Sequence, residues 1–222
     1  CFGKTLIEHV ITGLKSAGIT DIVIVVGFMK ELIKLHLGDG KKIGVHITYV
    51  DNNDYDRANG WSISLAKSVI HEPFILSMSD HVFEPGAVLA FVERVRGKTE
   101  SYLLVDKKID TISDIDDATK VLEKNGNIIE IHKKLTNYNS IDCGIFYHTP
   151  EFFDALTKSQ AQGDFSNTGG VKEMASRGKM HVIDIGKFHW MDIDTKRELD
   201  ILERDFAKFF AKKTASATPK SC

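Results

Sequence analysis

Pro73-Phe74-Ile75-Leu76-Ser77-Met78-Ser79-Asp80-His81-Val82-Phe83 sets a short apolar run against a carboxylate. The run 74–78, bounded by Pro73 and by polar residues, has the pattern of a strand buried on both faces. In open α/β sheets ligands gather beyond the carboxyl ends of the strands, which is where Asp80 projects. A carboxylate there suits a hard cation such as Mg²⁺ carrying a phosphate group. It also suits a helix N-cap, since a loop and a helix are predicted to follow and Asp is favoured before a helix start.

Upstream of this stretch the signals alternate. Residues 4–17 place Leu6, Ile7, Val10, Ile11 and Leu14 on one helical face, with Gly18 as the residue beyond the cap. The run 22–26 is continuously apolar and predicts a fully buried parallel strand closed by Gly27. A short helix over 30–37 ends at Gly38-Asp39-Gly40, and 45–50 is the next strand. Residues 51–60 form a polar loop of turn formers, and a helix over 61–69 leads into the strand at Phe74. Strands and helices alternating at this length predict βαβ units and a doubly wound parallel sheet.

Downstream the pattern changes. A helix over 85–95 is followed by a strand over 102–105 ending on Asp106. Runs 119–123 and 128–132 flank Lys124-Asn125-Gly126-Asn127, whose Asn-Gly is a hairpin signal. Residues 143–147 predict a strand, with a helix after it that has Pro150 at its first position. A helix over 171–177 and a strand over 181–185 follow. The last helix starts at Thr195, where Glu198 completes a capping box. Beyond Phe210 the small, polar, basic residues predict a frayed tail or linker.

The 222 residues suit one α/β domain with a sizeable core. A net charge of −2 gives no general signature for nucleic acid. Cys1, Cys143 and Cys222 are far apart, which fits a reducing compartment and argues against a thiolate zinc site. The histidines lack H-E-x-x-H spacing. No run approaches the roughly 20 apolar residues that span a bilayer, and no signal peptide opens the chain. The expectation is a cytoplasmic protein.

A second chemical stretch is His189-Trp190-Met191-Asp192-Ile193-Asp194-Thr195. Asp192 and Asp194 straddle one apolar residue and project to one side of an extended backbone. With Asp80 they can supply oxygen ligands for one or two divalent ions, or they can merely favour the N-terminus of the final helix. Asn59-Gly60 can present an amide and open backbone to a base edge, or be a plain turn. Lys120, Lys133 and Lys134 can offer ammonium groups to a phosphate or solvate a face. In Asp142-Cys143-Gly144 the glycine permits close ligand approach or marks a bulge. Cys143 reads as a small buried hydrophobe, and His81 as a packed or hydrogen-bonded histidine.

Together these pieces resemble the nucleotidyltransferases that join a nucleoside triphosphate to a sugar or alcohol phosphate, and within them the CTP:inositol-1-phosphate cytidylyltransferases. The likeness rests on residues 3–9, 59–67, 74–83, 142–146 and 190–195, which occur in the family's order. It implies a Rossmann-like, GT-A type α/β fold with a mixed, mainly parallel sheet flanked by helices. It further implies transfer of CMP from CTP to inositol 1-phosphate, giving CDP-inositol and pyrophosphate, with Mg²⁺ as cofactor. Asp80 and Asp192 would bind the metal, assisted by Asp194, and Lys134 would join Asp80 and Asp192 in catalysis. Asn59, Gly60, Ser79, Asp142 and Gly144 would bind substrate, with Asn59 and Gly60 at the cytosine end. Lys134, Asp142 and Gly144 would lie on the inositol phosphate side.

The family opens with a strand and a loop G-x-G-x-R followed by Pro-Lys, whereas this sequence starts at Cys1-Phe2-Gly3. The resemblance therefore implies an N-terminally incomplete domain over 1–211, inactive as it stands, and a basic tail over 212–222. The absent strand would lie between those at Ile22 and Phe74. Some relatives continue into a membrane-embedded CDP-alcohol phosphotransferase domain. The alternatives are an enzyme for another sugar 1-phosphate or for phosphocholine, and a non-catalytic nucleotide-binding module.

Overall fold

A reciprocal cap starts helix α1 (Leu6–Ser16): Thr5 Oγ1 accepts from the Glu8 amide, and the Glu8 carboxylate accepts from the Thr5 amide at 2.7 Å. Ile11 and Leu14 on its inner face are buried. The computed structural model describes residues 1–112 and 114–210, so the tail expected over 212–222 lies outside the described residues. Strand β1 (Asp21–Val26), helix α2 (Lys30–Leu37) and strand β2 (His46–Asp51) follow, with β1 and β2 paired in parallel. Helix α3 (Asn59–Leu65) runs into β3 (Phe74–Ser77) through a short 3-10 turn, Ala66–Ser68. Next come β4 (His81–Phe83), α4 (Ala87–Val95), β5 (Ser101–Asp106) and the hairpin β6 (Lys120–Lys124) and β7 (Asn127–His132). The chain continues with β8 (Ser140–His148), α5 (Glu151–Ala161), α6 (Asn167–Ser176), β9 (Met180–Asp184), β10 (Trp190–Asp192), α7 (Lys196–Asp205) and α8 (Ala207–Phe210).

Six strands form one sheet in the order β3-β8-β5-β9-β7-β6. The expected class, helices flanking a mixed sheet, is present, but its balance is not mainly parallel. Only β5 and β9 pair in parallel there, while β3–β8, β5–β8, β6–β7 and β7–β9 are antiparallel. The cause is β8, which returns from the hairpin between β3 and β5 and runs against both. At the hairpin, Asn125 and Gly126 take φ of 53° and 81°, the left-handed pair that an Asn-Gly turn supplies.

Side chains alternate between two cores. Leu104, Cys143 and Ile145 pack with α1 and α4 residues such as Leu14 and Phe91. Leu103, Val105 and Phe146 pack with Ile63, Phe152, Val171 and Met174 from α3, α5 and α6. Cys143 is fully buried as an apolar filler.

Among the described residues no hydrogen-bonded pairing joins β1 to β3. A cleft of about 1100 Å³ separates them, lined by Ile22 to Val25 on one side and Phe74 to Ser77 on the other. For that reason Val23, Ile24 and Val25 are only half-buried, where a continuous apolar run predicts full burial. Helix α6 also departs from expectation, starting well before residue 171. Ser166 caps it by accepting from the Gly169 amide at 3.0 Å, and a side chain on Gly170 would meet Leu156 at 2.7 Å. Gly169 and Gly170 thus let α6 pack closely on α5, against Ser159 and against Leu156 and Phe152 respectively. Pro150 caps α5 from one position outside it. No helix among the described residues is long and apolar enough to cross a membrane.

Candidate active site

The site is assembled by a three-residue antiparallel ladder, Trp190↔Phe83, Met191↔Val82 and Asp192↔His81. Sequence reasoning expects a loop and helix after Asp80 and so misses it. The N-cap explanation of Asp80 falls away with it. The helix after Asp80 starts only at Ala87, behind Gly86, and α7 is capped by Thr195 in a capping box with Glu198, not by Asp192 or Asp194.

The ladder brings Asp80, His81 and Asp192 together, each offering an atom within 4.8 Å of the others. His81 Nδ1 lies 2.8 Å from Asp80 Oδ1 and 3.5 Å from Asp192 Oδ1. The hydrogen bond from His81 holds the Asp80 carboxyl below the usual range, against the opposing effect of burial. Burial opposes charge on His81, but the Asp80 hydrogen bond and the charges of Asp192, Asp80 and Asp142 raise its pKa nonetheless. Burial, then the neighbouring Asp80 and Asp194 charges, push Asp192 up, with His81 opposing.

The imidazole is locked from three sides. It stacks on Trp190 at 5.3 Å and 10°. Trp190 Nε1 donates to Asp106 Oδ2 at 3.1 Å, and Asp106 Oδ1 accepts from Lys108 Nζ at 2.8 Å. On the remaining side Gly144 has φ +74°, and a Cβ there would lie 2.5 Å from His81 Cδ2. Gly144 therefore marks the β-bulge that the sequence left as one option, since β8 spends extra residues between Phe146 and Asp142 against β5. The Gly144 amide donates to Asp142 Oδ1 at 2.7 Å, while burial pushes the Asp142 carboxyl up to about 6.

These groups face a cavity of about 330 Å³ that is also lined by Asn59, Asp106, Lys133, Asn167, Thr168 and Asp194. Asp194 is exposed on its wall and is not one of the three clustered ligands. Lys134 is not on the wall; Lys133 is, with Nζ at 2.8 and 2.9 Å from the two oxygens of Asp117. The Lys134 amide donates to His132 Nδ1 at 2.9 Å, forming a turn that sends successive side chains apart. Lys120 has no donor to spare, because its ammonium reaches the carbonyls of Asp116, Ala118 and Lys133 at 3.2, 3.2 and 2.9 Å. Ser79 lines the β1–β3 cleft instead of the cavity. Gly60 is buried against Phe165 and Ser166 and lines neither the cavity nor the cleft. Asn59 does line the cavity, and its Oδ1 accepts from the Asn167 amide at 2.8 Å.

The donor set fits a hard divalent cation. Two carboxylates converge, and Asp192 Oδ1 is buried with no hydrogen-bond partner among the described residues. His81, a nitrogen donor, already spends Nδ1 on Asp80. Among the described residues seven aspartates and Glu198 line the cavity wall against one lysine, Lys133, so an anionic substrate needs a cation to approach. Sequence reasoning missed Lys133 as the inward lysine, Asn167, Thr168 and the clamp on His81. Only the Asp-His dipeptide carried a local signal for any of them.

The family model for Nucleotidyl transferase matches residues 1–203. A curated relative from Rubrobacter xylanophilus, a bifunctional IPC transferase and DIPP synthase, is 29% identical over 204 residues, covering 90% of this chain and 45% of that protein. A protein of the same description from Thermococcus kodakarensis is 28% identical over 220 residues, covering 96% of this chain and 46% of the relative. The chain thus spans about half the length of these relatives. The solved structure of the inositol-1-phosphate CTP transferase from T. maritima superposes with a TM-score of 0.81 at 26% identity, covering 98% of this chain and 86% of that one.

Proposed function

The chain belongs to the nucleotidyl transferase family, and from that premise we propose that it transfers CMP from CTP to inositol 1-phosphate, releasing pyrophosphate and leaving CDP-inositol. One observation carries the reading: two carboxylates, Asp80 and Asp192, converge on the cavity, and Asp192 Oδ1 is buried with no hydrogen bond among the described residues, its nearest cationic neighbour being His81 Nδ1 at 3.5 Å. The description of the T. maritima structure supports the choice of CTP and inositol 1-phosphate.

Asp80 and Asp192 would hold Mg²⁺, with Asp194 beside them; when bound, the cation offsets the charge of the phosphates and orients them. Asp80 stays ionised at neutral pH because its hydrogen bond to His81 favours the anion. Asn59 spends its Oδ1 on Asn167, so what it offers a cytosine is the Nδ2 donor, suited to the ring's acceptors. Lys133 exchanges Asp117 for a phosphate of the substrate, and the bulge at Gly144 holds the His81 ring in place beside Asp80. A phosphate oxygen of inositol 1-phosphate attacks the α-phosphorus in line, the bond from that phosphorus to the bridging oxygen breaks, and pyrophosphate leaves with the electron pair. The nucleophile is already ionised at neutral pH, so no side chain has to take its proton.

The test is pyrophosphate release by the full-length protein from CTP and Mg²⁺, with and without inositol 1-phosphate. Release is expected only with both substrates, and Asp80→Asn should abolish it with little change in melting temperature. Preference for glucose 1-phosphate or phosphocholine would refute the acceptor, and absence of release with any acceptor would refute the enzyme reading.

A further inference from the structure

Asn167 is 4% exposed, lines the 330 Å³ cavity, and keeps its Oδ1 buried with no hydrogen-bond partner among the described residues. The local fold gives this side chain no task. Ser166, not Asn167, caps α6, and the Asn167 amide is satisfied by Asn59 Oδ1. A buried polar atom without a partner is destabilising, and native proteins keep few of them. The partner is therefore to be sought in a ligand. Because Oδ1 only accepts hydrogen bonds, that ligand presents an O–H or N–H, and a phosphate oxygen is ruled out.

Position selects the substrate. Asn59 borders both the cavity and the β1–β3 cleft, whereas Asn167 and Thr168 border the cavity alone, together with Lys133, Asp142 and Gly144. Under the function proposed above, on which this inference rests, Asp142 and Gly144 mark the acceptor side, and Asn167 and Thr168 share the cavity with them. We propose that Asn167 is a specificity-determining residue whose side-chain carbonyl accepts a hydrogen bond from a ring hydroxyl of the polyol phosphate acceptor. A site built to satisfy a substrate hydroxyl rejects the analogue that lacks it, because the protein group is then left unpaired.

The experiment compares the full-length protein with Asn167→Leu, a residue of the same branching, using the accepted polyol phosphate and its monodeoxy analogues. The acceptor KM should rise about tenfold, the worth of one such hydrogen bond, with the KM for CTP unchanged. One monodeoxy analogue, poor with the wild type, should match the parent acceptor in the variant. The melting temperature should not fall, since an unpaired buried group has been removed; if leucine overpacks, Asn167→Ala is read by the same KM pattern. An unchanged acceptor KM, or a rise in the CTP KM instead, overturns the inference while leaving the wild-type activity intact. A wild type inactive with every polyol phosphate refutes the proposed function and this inference with it.

Discussion

His148 on β8 offers a measurement that isolates one residue. It is fully buried, and neither ring nitrogen has a partner among the described residues. Its ring stacks on Phe152 at 3.5 Å and on Phe146 at 5.4 Å. Burial pushes its pKa from 6.5 down to about 3. The folded value lies below the unfolded one, so between them the unfolded chain takes up a proton that the folded chain refuses. Stability from this residue is complete above pH 6.5 and is lost as pH falls towards 3. Acidification from pH 7.5 to 5 crosses about 1.5 units of that window, a loss of about 2 kcal/mol. Urea unfolding of the wild type and His148→Leu at both pH values should show the variant losing about 2 kcal/mol less. Differences in packing cancel, because each protein is compared with itself, and titration of His9 and His81 is common to both. Parallel losses in the two proteins would refute the argument.

Three further outcomes follow from the site. Gly144→Ala must place a Cβ against the His81 ring at φ +74°; about 1–2 kcal/mol of backbone strain is expected, with activity down at least tenfold and altered fluorescence from Trp190. Asp142, raised to about 6 from 3.8, contributes stability below its unfolded value that is lost as pH rises through 6. Asp142→Asn should therefore stabilise the fold by up to about 3 kcal/mol at pH 8 relative to its effect at pH 3.5, by urea unfolding, while acceptor turnover falls. Lys133→Ala should raise substrate KM or lower kcat by tenfold or more, whereas Lys134→Ala should stay within twofold. Equal effects would mean that the turn at His132 does not sort the two side chains.

Much of the chain was legible because many elements announce themselves locally. Leu6 to Leu14 repeat at helical spacing, Ile22 to Val26 run without interruption, and Asn125-Gly126 dictate their turn. Elements joined by distant pairing were not. β4 and β10 are three residues each, too short for any periodicity, and their pairing depends on contacts between segments far apart in sequence. The start of α6 was hidden by Gly169 and Gly170, whose value lies in close packing on α5 and not in helix propensity. At the site, Asp80, Asp192, Asp142 and Gly144, singled out by motif and family resemblance, do line one cavity. Whether Lys133 or Lys134 turns inward was not, because a turn just after β7 resets the alternation that a strand would have imposed. Lys120 read as a free cation, and only the folded loop reveals the three carbonyls that occupy it.

The ladder between β4 and β10 also separates two moments in the making of the molecule. The large sheet has all six of its strands once synthesis has passed Asp184, and most buried hydrogen bonds can close then. Asp80 is made long before Asp192, its partner carboxylate, and β4, though packed on α1, has no strand partner until β10 arrives. The carboxylate pair is thus completed last, by the three residues of β10. Proteolysis between β9 and β10 would reverse it while sparing the larger sheet.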